Sequence, residues 1–356
     1  MQTIMEHYTH TTIIQPHMKI RRERVLPQSG EMIAKIGNEV TPGLTVARTP
    51  RQTVFAIVDA SQILGVSPDK VAELVTEEKG SVIDEGTVLA KRKGLRGRQV
   101  LSPAAGELYD VVNGRIFIQQ AADWIETTAL VSGKVVSHVG DRGVVIETYG
   151  AFIQGIWGSR KESFGKLKLM SRSNNGFLAK DQLTSDLSKH ILAVGRLEHV
   201  DVLHLAQEMA VAGIIAGSMP VDLCDAAYEL NYPIILTDGV GKQSMSPMVF
   251  NLLQKTEGRE TSLFANYDGS RGQRPEIIIP EPATPSSEAV QANKPLQIGQ
   301  QVRLLRPPFV GQTGEVVEIF TLSQLLATGA KAQGANIRLA EGHVVFMPFA
   351  NVDVII

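Results

Sequence analysis

The sequence contains a single cysteine, Cys224, in 356 residues. A lone thiol excludes an intramolecular disulfide and a cysteine-cluster metal site. Its place in a predicted helix favours a buried structural residue over a nucleophile. No apolar run approaches the roughly 18 residues that a membrane span requires. Residues 1–17 carry no hydrophobic signal segment, so we expect a cytoplasmic protein without membrane association.

Strong charge of one sign and nucleotide-binding motifs are also missing. The formal net charge is −2, and residues 1–175, with 22 Lys and Arg against 18 Asp and Glu, are only mildly basic. Neither Gly-x-Gly-x-x-Gly nor Gly-x-x-x-x-Gly-Lys-Ser/Thr occurs, so both nucleotide signatures are absent. No nucleophile–base pair is visible, because His190, His199 and His204 lie before or on one predicted helix. These absences favour a protein that is not an enzyme and uses no cofactor.

The most regular pattern in the chain lies between residues 191 and 253, where short apolar runs alternate with amphipathic segments. The predicted strands are residues 191–195, 213–219 and 233–239, and the predicted helices are residues 201–212, 221–230 and 246–255. Apolar runs that alternate with helical periodicity indicate a parallel sheet with helices packed over it. We therefore expect an α/β domain over residues 176–280.

Small residues at the ends of these strands form the candidate ligand site. In open α/β sheets, ligands bind beyond the carboxyl ends of the strands, and glycines there let backbone N–H groups approach an anion. The candidate ligand-binding residues are Gly195, Gly217, Ser218, Thr237, Asp238, Gly239, Gly241 and Lys242. The alternative interpretation is that the glycines simply form tight corners between strands and helices.

Residues 30–158 consist of short β-segments separated by glycine. Residues 30–48 and 80–91 share a strand–turn–strand pattern that forms a weak internal repeat. With the Ser102-Pro-x-x-Gly106-Glu-Leu segment, this region resembles barrel-sandwich hybrid folds, which include the biotinyl and lipoyl carrier domains. The lysines at 91 and 93 lack the residues that flank a modified carrier lysine, so we expect no covalent biotin or lipoate. We assign residues 25–175 to one β-rich, barrel-sandwich-like domain.

A short basic segment lies within this region. Five positive side chains fall in eight residues, and they are Lys91, Arg92, Lys93, Arg96 and Arg98. One interpretation is a loop that contacts the phosphates of a nucleic acid and releases counterions. The other is a solvated hairpin tip whose charge is offset by nearby acidic residues.

Two segments have no pattern of a packed element. Residues 1–24 are polar, and their histidines lack a carboxylate or cysteine to complete a metal site, so we predict a mobile or loosely docked arm and no metal. Residues 281–295 are rich in Pro, Ser and Ala, which is typical of a linker.

Residues 296–356 contain the clearest family pattern. Gly299, Val302, Pro308, Gly311, Gly314, Val316 and Ile319 resemble a KOW motif, as found in the transcription factor NusG and in several ribosomal proteins. The resemblance implies an SH3-like β-barrel, in which Gly311 and Gly314 form the turn between two strands. KOW domains commonly bind RNA or protein, which makes Arg303 and Arg306 candidate partner-binding residues. As a whole, the chain resembles bacterial KOW-domain proteins.

The predicted fold class is therefore multi-domain α+β, with a β-rich region, a Rossmann-like α/β domain and a KOW-like barrel. The α/β segment 190–255 resembles DRTGG-type modules, although the named motif of that family is absent. We predict a non-enzymatic binding or scaffold protein whose partner is a nucleic acid or a protein. The alternatives are a sensor of an anionic metabolite or nucleotide and a self-assembling structural protein, since exposed sheet edges permit an oligomer.

Overall fold

The computed structural model describes residues 9–51, 54–92, 97–120, 124–268, 272–282, 295–326 and 328–356. About 48% of the chain is strand and 14% is helix, arranged in several sheets. The predicted α+β class is confirmed only in its coarse content, because the chain is mostly strand in several sheets with a few helices. Most of the predicted linker, residues 283–294, lies outside the described residues.

The first half of the chain is built almost entirely of strands. Its elements are β1 (His10–Thr12), β2 (Ile14–Val25), β3 (Glu31–Met32), β4 (Glu39–Val40), β5 (Thr45–Pro50), β6 (Phe55–Asp59), α1 (Ala60–Leu64), β7 (Val82–Ile83), β8 (Val88–Lys91), β9 (Gln99–Leu101), β10 (Gly106–Val112), β11 (Arg115–Gln119), β12 (Trp124–Thr128), β13 (Gly133–Val139), β14 (Gly143–Gln154), β15 (Trp157–Gly158) and β16 (Glu162–Leu169).

Strands and helices alternate in the second half before the chain returns to strands. Its elements are β17 (His190–Arg196), α2 (Val200–Glu208), β18 (Gly213–Met219), α3 (Leu223–Glu229), β19 (Ile234–Val240), α4 (Pro247–Lys255), β20 (Glu260–Phe264), β21 (Glu276–Pro280), β22 (Gln301–Leu304), β23 (Thr313–Leu325), β24 (Lys331–Leu339), β25 (Val344–Pro348) and β26 (Val352–Ile355). The predicted strand–helix alternation is confirmed over this segment.

The largest sheet, here called the central sheet, has the strand order β15-β19-β18-β17-β16-β20-β21-β14-β13-β4, with β2 also paired to β14. Strands β16 to β19 are parallel neighbours. Alternate residues of β17 pack into two different apolar clusters, so Leu192 and Val194 face α2 and α3, whereas Ile191 and Ala193 face α4. Helices on both faces explain why these strands read as continuous apolar runs. The central sheet crosses the boundary predicted at residue 175.

The segment predicted as an N-terminal arm instead contributes two strands. β1 pairs in parallel with β26, and β2 pairs with β14 from Ile14 to Val25. β2 lacks a regular apolar pattern and instead carries arginines that form ion pairs with other strands of the central sheet. Arg22 pairs with Glu276, and Arg24 pairs with Glu162 at 2.9 Å. A strand whose charges are paired in this way has too few apolar residues to be predicted from alternation.

Within the described parts of the chain, the remaining strands form four smaller sheets. The last strands of the chain, together with β1, give the C-terminal sheet, in the order β1-β26-β22-β23-β24-β25. The others have the orders β6-β11-β10-β7, β12-β5-β3 and β8-β9. Gly311 has a φ of 78° in the turn between β22 and β23. Gly314, which was predicted in the same turn, instead lies within β23, where it pairs with Val302 and Leu339.

Candidate functional site

The predicted ligand site at the carboxyl ends of β17 and β18 is filled by the chain itself. A Cβ on Gly195 would lie 2.4 Å from the carbonyl oxygen of Asn174, and a Cβ on Gly217 would lie 2.5 Å from the Cα of Met245. The Asn174 side chain donates to the Met245 carbonyl at 2.8 Å. Glycine is therefore required here by close backbone packing, which supports the interpretation as tight corners.

The polar residues of this predicted site are also engaged within the chain. The Ser218 hydroxyl is buried and donates to the Gln243 carbonyl at 2.5 Å. Thr237 is buried as well, and its hydroxyl donates to Asp238 at 2.7 Å. Gly239 and Gly241 follow with φ values of 116° and 145°, and Lys242 is exposed. The structure brings the eight predicted residues together at the carboxyl ends of β17, β18 and β19. However, Ser218, Thr237 and Asp238 already have hydrogen-bond partners within the chain.

Asp238 binds Arg303, a residue that was expected on a partner-binding surface. The side chain of Arg303 is 1% exposed and that of Asp238 is 0% exposed. Nη1 of Arg303 donates to Asp238 Oδ1 at 3.1 Å, and Nη2 donates to Asp353 Oδ2 at 2.6 Å. The remaining oxygen of Asp238 accepts the backbone N–H of Ser246 at 3.0 Å. Arg303 therefore does not lie on a nucleic-acid-binding surface, and the prediction for this residue is wrong.

We call this cluster, with Thr12 and Arg274, the buried ionic lock. The Thr12 hydroxyl donates to Asp353 at 2.6 Å and accepts from Nη2 of Arg274 at 2.8 Å. Arg274 also donates to the carbonyls of Thr11 and Gly155, and burial lowers its pKa. The buried ionic lock thus joins Asp238 of the central sheet to three strands of the C-terminal sheet, β1, β22 and β26. A polar network of this kind selects one arrangement of the parts, because a buried charge without its partner is costly.

A cavity of about 400 Å³ lies beside the buried ionic lock. Its lining combines apolar side chains with His10, Tyr267 and Gln273. Arg274 also lines it, but Nε, Nη1 and Nη2 of that guanidinium all donate to oxygen atoms of the chain. Three of the five N–H groups of Arg274 are therefore used within the chain.

The basic segment has a structural role at the end of α1. Arg92 donates to the Leu64 carbonyl at 3.1 Å, and Arg98 donates to the Ile63 carbonyl at 3.3 Å. Guanidinium groups at a helix C-terminus satisfy its last carbonyls and favour its dipole. Lys91 is exposed, as is Arg306 in the turn between β22 and β23. Lys93 and Arg96 lie outside the described residues.

The sheet β6-β11-β10-β7 exposes an apolar surface that the sequence did not predict. Its inner side packs on α1, whereas Phe55, Ile57, Tyr109 and Phe117 form what we call the outer aromatic face. The ring centroids of Phe55 and Tyr109 are 4.9 Å apart, and those of Phe55 and Phe117 are 6.4 Å apart, both edge-on. Ile57 is 55% exposed and Tyr109 is 49% exposed. The missed signal is the run Ile116-Phe-Ile118, because three consecutive apolar residues place apolar side chains on both faces of one strand.

Two ion pairs border the outer aromatic face. Lys79 pairs with Asp110 at 3.2 Å, and Arg115 pairs with Asp59 at 3.5 Å. The N–H of Val111 and then Lys79 hold the pKa of Asp110 below its ordinary value. Hydrogen bonds from the Ser61 hydroxyl and then the Gln62 N–H lower the pKa of Asp59. Both carboxylates therefore remain charged and paired at neutral pH.

Within the described ranges, no three His, Cys, Asp or Glu side chains are grouped in a way that could hold a metal ion. Over the same residues, none of the helices has the length and apolar character needed to cross a bilayer.

Comparisons with known proteins do not assign the chain to a group. No protein-family model matches it, and no curated protein is similar to it in sequence.

Proposed function

We propose that this chain is a non-enzymatic binding or scaffold protein that binds a protein partner through the outer aromatic face. The observation that carries the proposal is the contrast between two surfaces. At the predicted ligand site, Ser218, Thr237 and Asp238 bond within the chain. By contrast, the outer aromatic face exposes Phe55, Ile57 and Tyr109 to solvent.

The chemistry of this surface fits a protein better than a nucleic acid. Protein interfaces have an apolar centre enriched in aromatic residues and a polar rim, and the two ion pairs provide such a rim here. Nucleic-acid binding instead requires unpaired cations that replace counterions. Arg303 is buried, and Arg92 and Arg98 donate to α1, so these three residues give little support to that alternative.

The proposal also includes an SH3-like barrel at the C-terminal end and a Rossmann-like α/β segment. The KOW resemblance implies that the C-terminal sheet is an SH3-like barrel, and the antiparallel pairing of β22 to β25 supports this class. The parallel strands β17 to β19 support a Rossmann-like assignment for the α/β segment. In a scaffold of this type, the buried ionic lock fixes the positions of the parts while the outer aromatic face binds.

A photo-crosslinking experiment in the cells that produce the protein tests this proposal. The photoreactive residue is introduced as Tyr109→benzoylphenylalanine, with Lys168→benzoylphenylalanine as the control at a similarly exposed position on β16. We expect a discrete protein adduct from position 109 that is lost when Phe55→Ser and Ile57→Ser are added. A nuclease-sensitive adduct, or no adduct beyond that of the control, would overturn the proposal.

A further inference from the structure

Strand β6, which carries Phe55 and Ile57, lies at the edge of its sheet. The strand order is β6-β11-β10-β7, and over the described residues β6 pairs with β11 on one side only. An edge strand presents a row of backbone groups that can pair with another strand. The backbone groups of β6 that do not bond to β11 are therefore available to a further strand.

The register identifies the free groups. The Gln120 N–H donates to the Val54 carbonyl at 3.0 Å, so the hydrogen-bonded pairs of this antiparallel ladder include Val54, Ala56 and Val58 of the β6 side. The backbone N–H and C=O groups of the alternate residues, Phe55 and Ile57, then point away from β11. The side chains of these two residues also lie on the outer aromatic face.

Apart from Asp59 at its end, β6 has no residue that protects this edge. Natural edge strands are commonly blocked by lysine, proline, a bulge or short length. The sequence Phe-Ala-Ile-Val-Asp of β6 has no lysine, proline or glycine, and its register with β11 is regular over five residue pairs. By contrast, the central sheet ends in β15 and β4, which have two residues each.

We propose that β6 pairs antiparallel with β6 of a second copy of this chain, around a two-fold axis at Ile57. This arrangement places Ile57 opposite Ile57 and Phe55 opposite Asp59 of the partner subunit. Outward-pointing backbone groups then meet outward-pointing groups, so a new hydrogen-bonded ladder forms between the copies.

The charges of the surface fit a second copy. A two-fold interface brings each surface against itself, so unpaired charge of one sign would repel. The charge nearest this edge is Asp59, which is paired with Arg115 and would lie opposite an aromatic side chain. The other ion pair, Lys79 with Asp110, is likewise neutral. The two outer aromatic faces would become one continuous surface across the axis.

This dimer does not require the partner of the proposed function, so the two can fail separately. Sedimentation of the purified full chain over a range of concentrations tests it. We expect a dimer in the wild-type protein and a rise of about 10-fold or more in its dissociation constant for Ile57→Lys, which places like charges opposite each other. Tyr109→Ser is the matched control, because it changes the outer aromatic face but not the edge.

A second variant covers the possibility that Ile57→Lys fails to fold. In a Cys224→Ala background, Ile57→Cys is expected to form a disulfide-linked dimer under mild oxidation, because hydrogen-bonded antiparallel pairs have Cα atoms about 5.5 Å apart, within disulfide range. Val82→Cys, at the opposite edge strand and 87% exposed, should cross-link much more slowly. A monomer at all concentrations, a dimer that folded Ile57→Lys leaves unchanged, or equal cross-linking at the two positions would overturn the proposal.

Discussion

Glu276 is the charged residue of β21, a strand that is otherwise apolar. Its carboxylate pairs with Arg22 of β2, and both side chains are only 23% exposed. Burial raises the pKa of Glu276 above its ordinary value, although Arg22 acts in the opposite direction. The ionised carboxylate is therefore more costly in the folded chain than in the unfolded one.

This pKa shift predicts a pH dependence of stability. The folded pKa of Glu276 lies above its unfolded pKa. The contribution of Glu276 to the free energy of unfolding is therefore complete below the ordinary glutamate range, and it is lost as pH rises through the folded pKa. The thermal midpoint of the wild-type protein, relative to that of Glu276→Gln, should therefore fall as pH rises above the ordinary glutamate range. Thermal unfolding of both proteins across this range measures the difference, and a difference that stays flat or rises with pH would contradict the assignment.

Other residues could not be assigned from the sequence because the partner of a charge is not visible there. Arg303 and Arg306 are three residues apart and looked equivalent. In the structure one is buried between two aspartates and the other is exposed. Likewise, Tyr109 and Phe117 did not indicate a site, because the sequence does not distinguish an exposed aromatic residue from a buried one.

At the scale of elements, β17 to β19 and α2 to α4 were predictable because their environment repeats along the chain. Strands covered on both faces require unbroken apolar runs, and the helices over them require apolar residues at helical spacing. Ser246 and Pro247 also mark the start of α4, where the Ser246 hydroxyl accepts the Val249 N–H. β2 was missed because Arg22 and Arg24 obtain their partners from distant strands.

Packing between elements predicts the effect of a methyl group at Gly217. A Cβ at this position would lie 2.5 Å from the Cα and N of Met245, so the segment before α4 would have to move. Gly217→Ala should lower the free energy of unfolding by about 1–3 kcal/mol, measured by urea denaturation.

Gly43→Ala is the control for this substitution. A Cβ at Gly43 would meet only the ring of Phe164, at 3.5 Å, which is ordinary contact. We expect a change within about 0.5 kcal/mol there. Equal effects at Gly43 and Gly217 would show that close packing at the carboxyl end of β18 is not the reason for glycine.

At the scale of the whole molecule, the buried ionic lock determines how the C-terminal sheet sits on the central sheet. Arg303→Met would leave Asp238 and Asp353 buried without their cation. Breaking a buried pair in this way should lower the free energy of unfolding by about 3–5 kcal/mol. Urea denaturation measures this change.

Arg306→Met is the matched control, since Arg306 lies in the turn that follows β22 and is exposed. Its free energy of unfolding should change by no more than about 0.5 kcal/mol. If the two arginine variants unfold alike, the buried ionic lock does not hold the sheets together.

The parallel pairing of β1 with β26 also has a consequence for the order of events during synthesis. Thr12 and Asp353, which share a hydrogen bond, are separated by 341 positions in the chain. β1 is made before every other strand that the structure describes, yet its partner strand is made only after β25. During translation β1 therefore remains unpaired with β26. The C-terminal sheet can form completely only after the other described strands have been made.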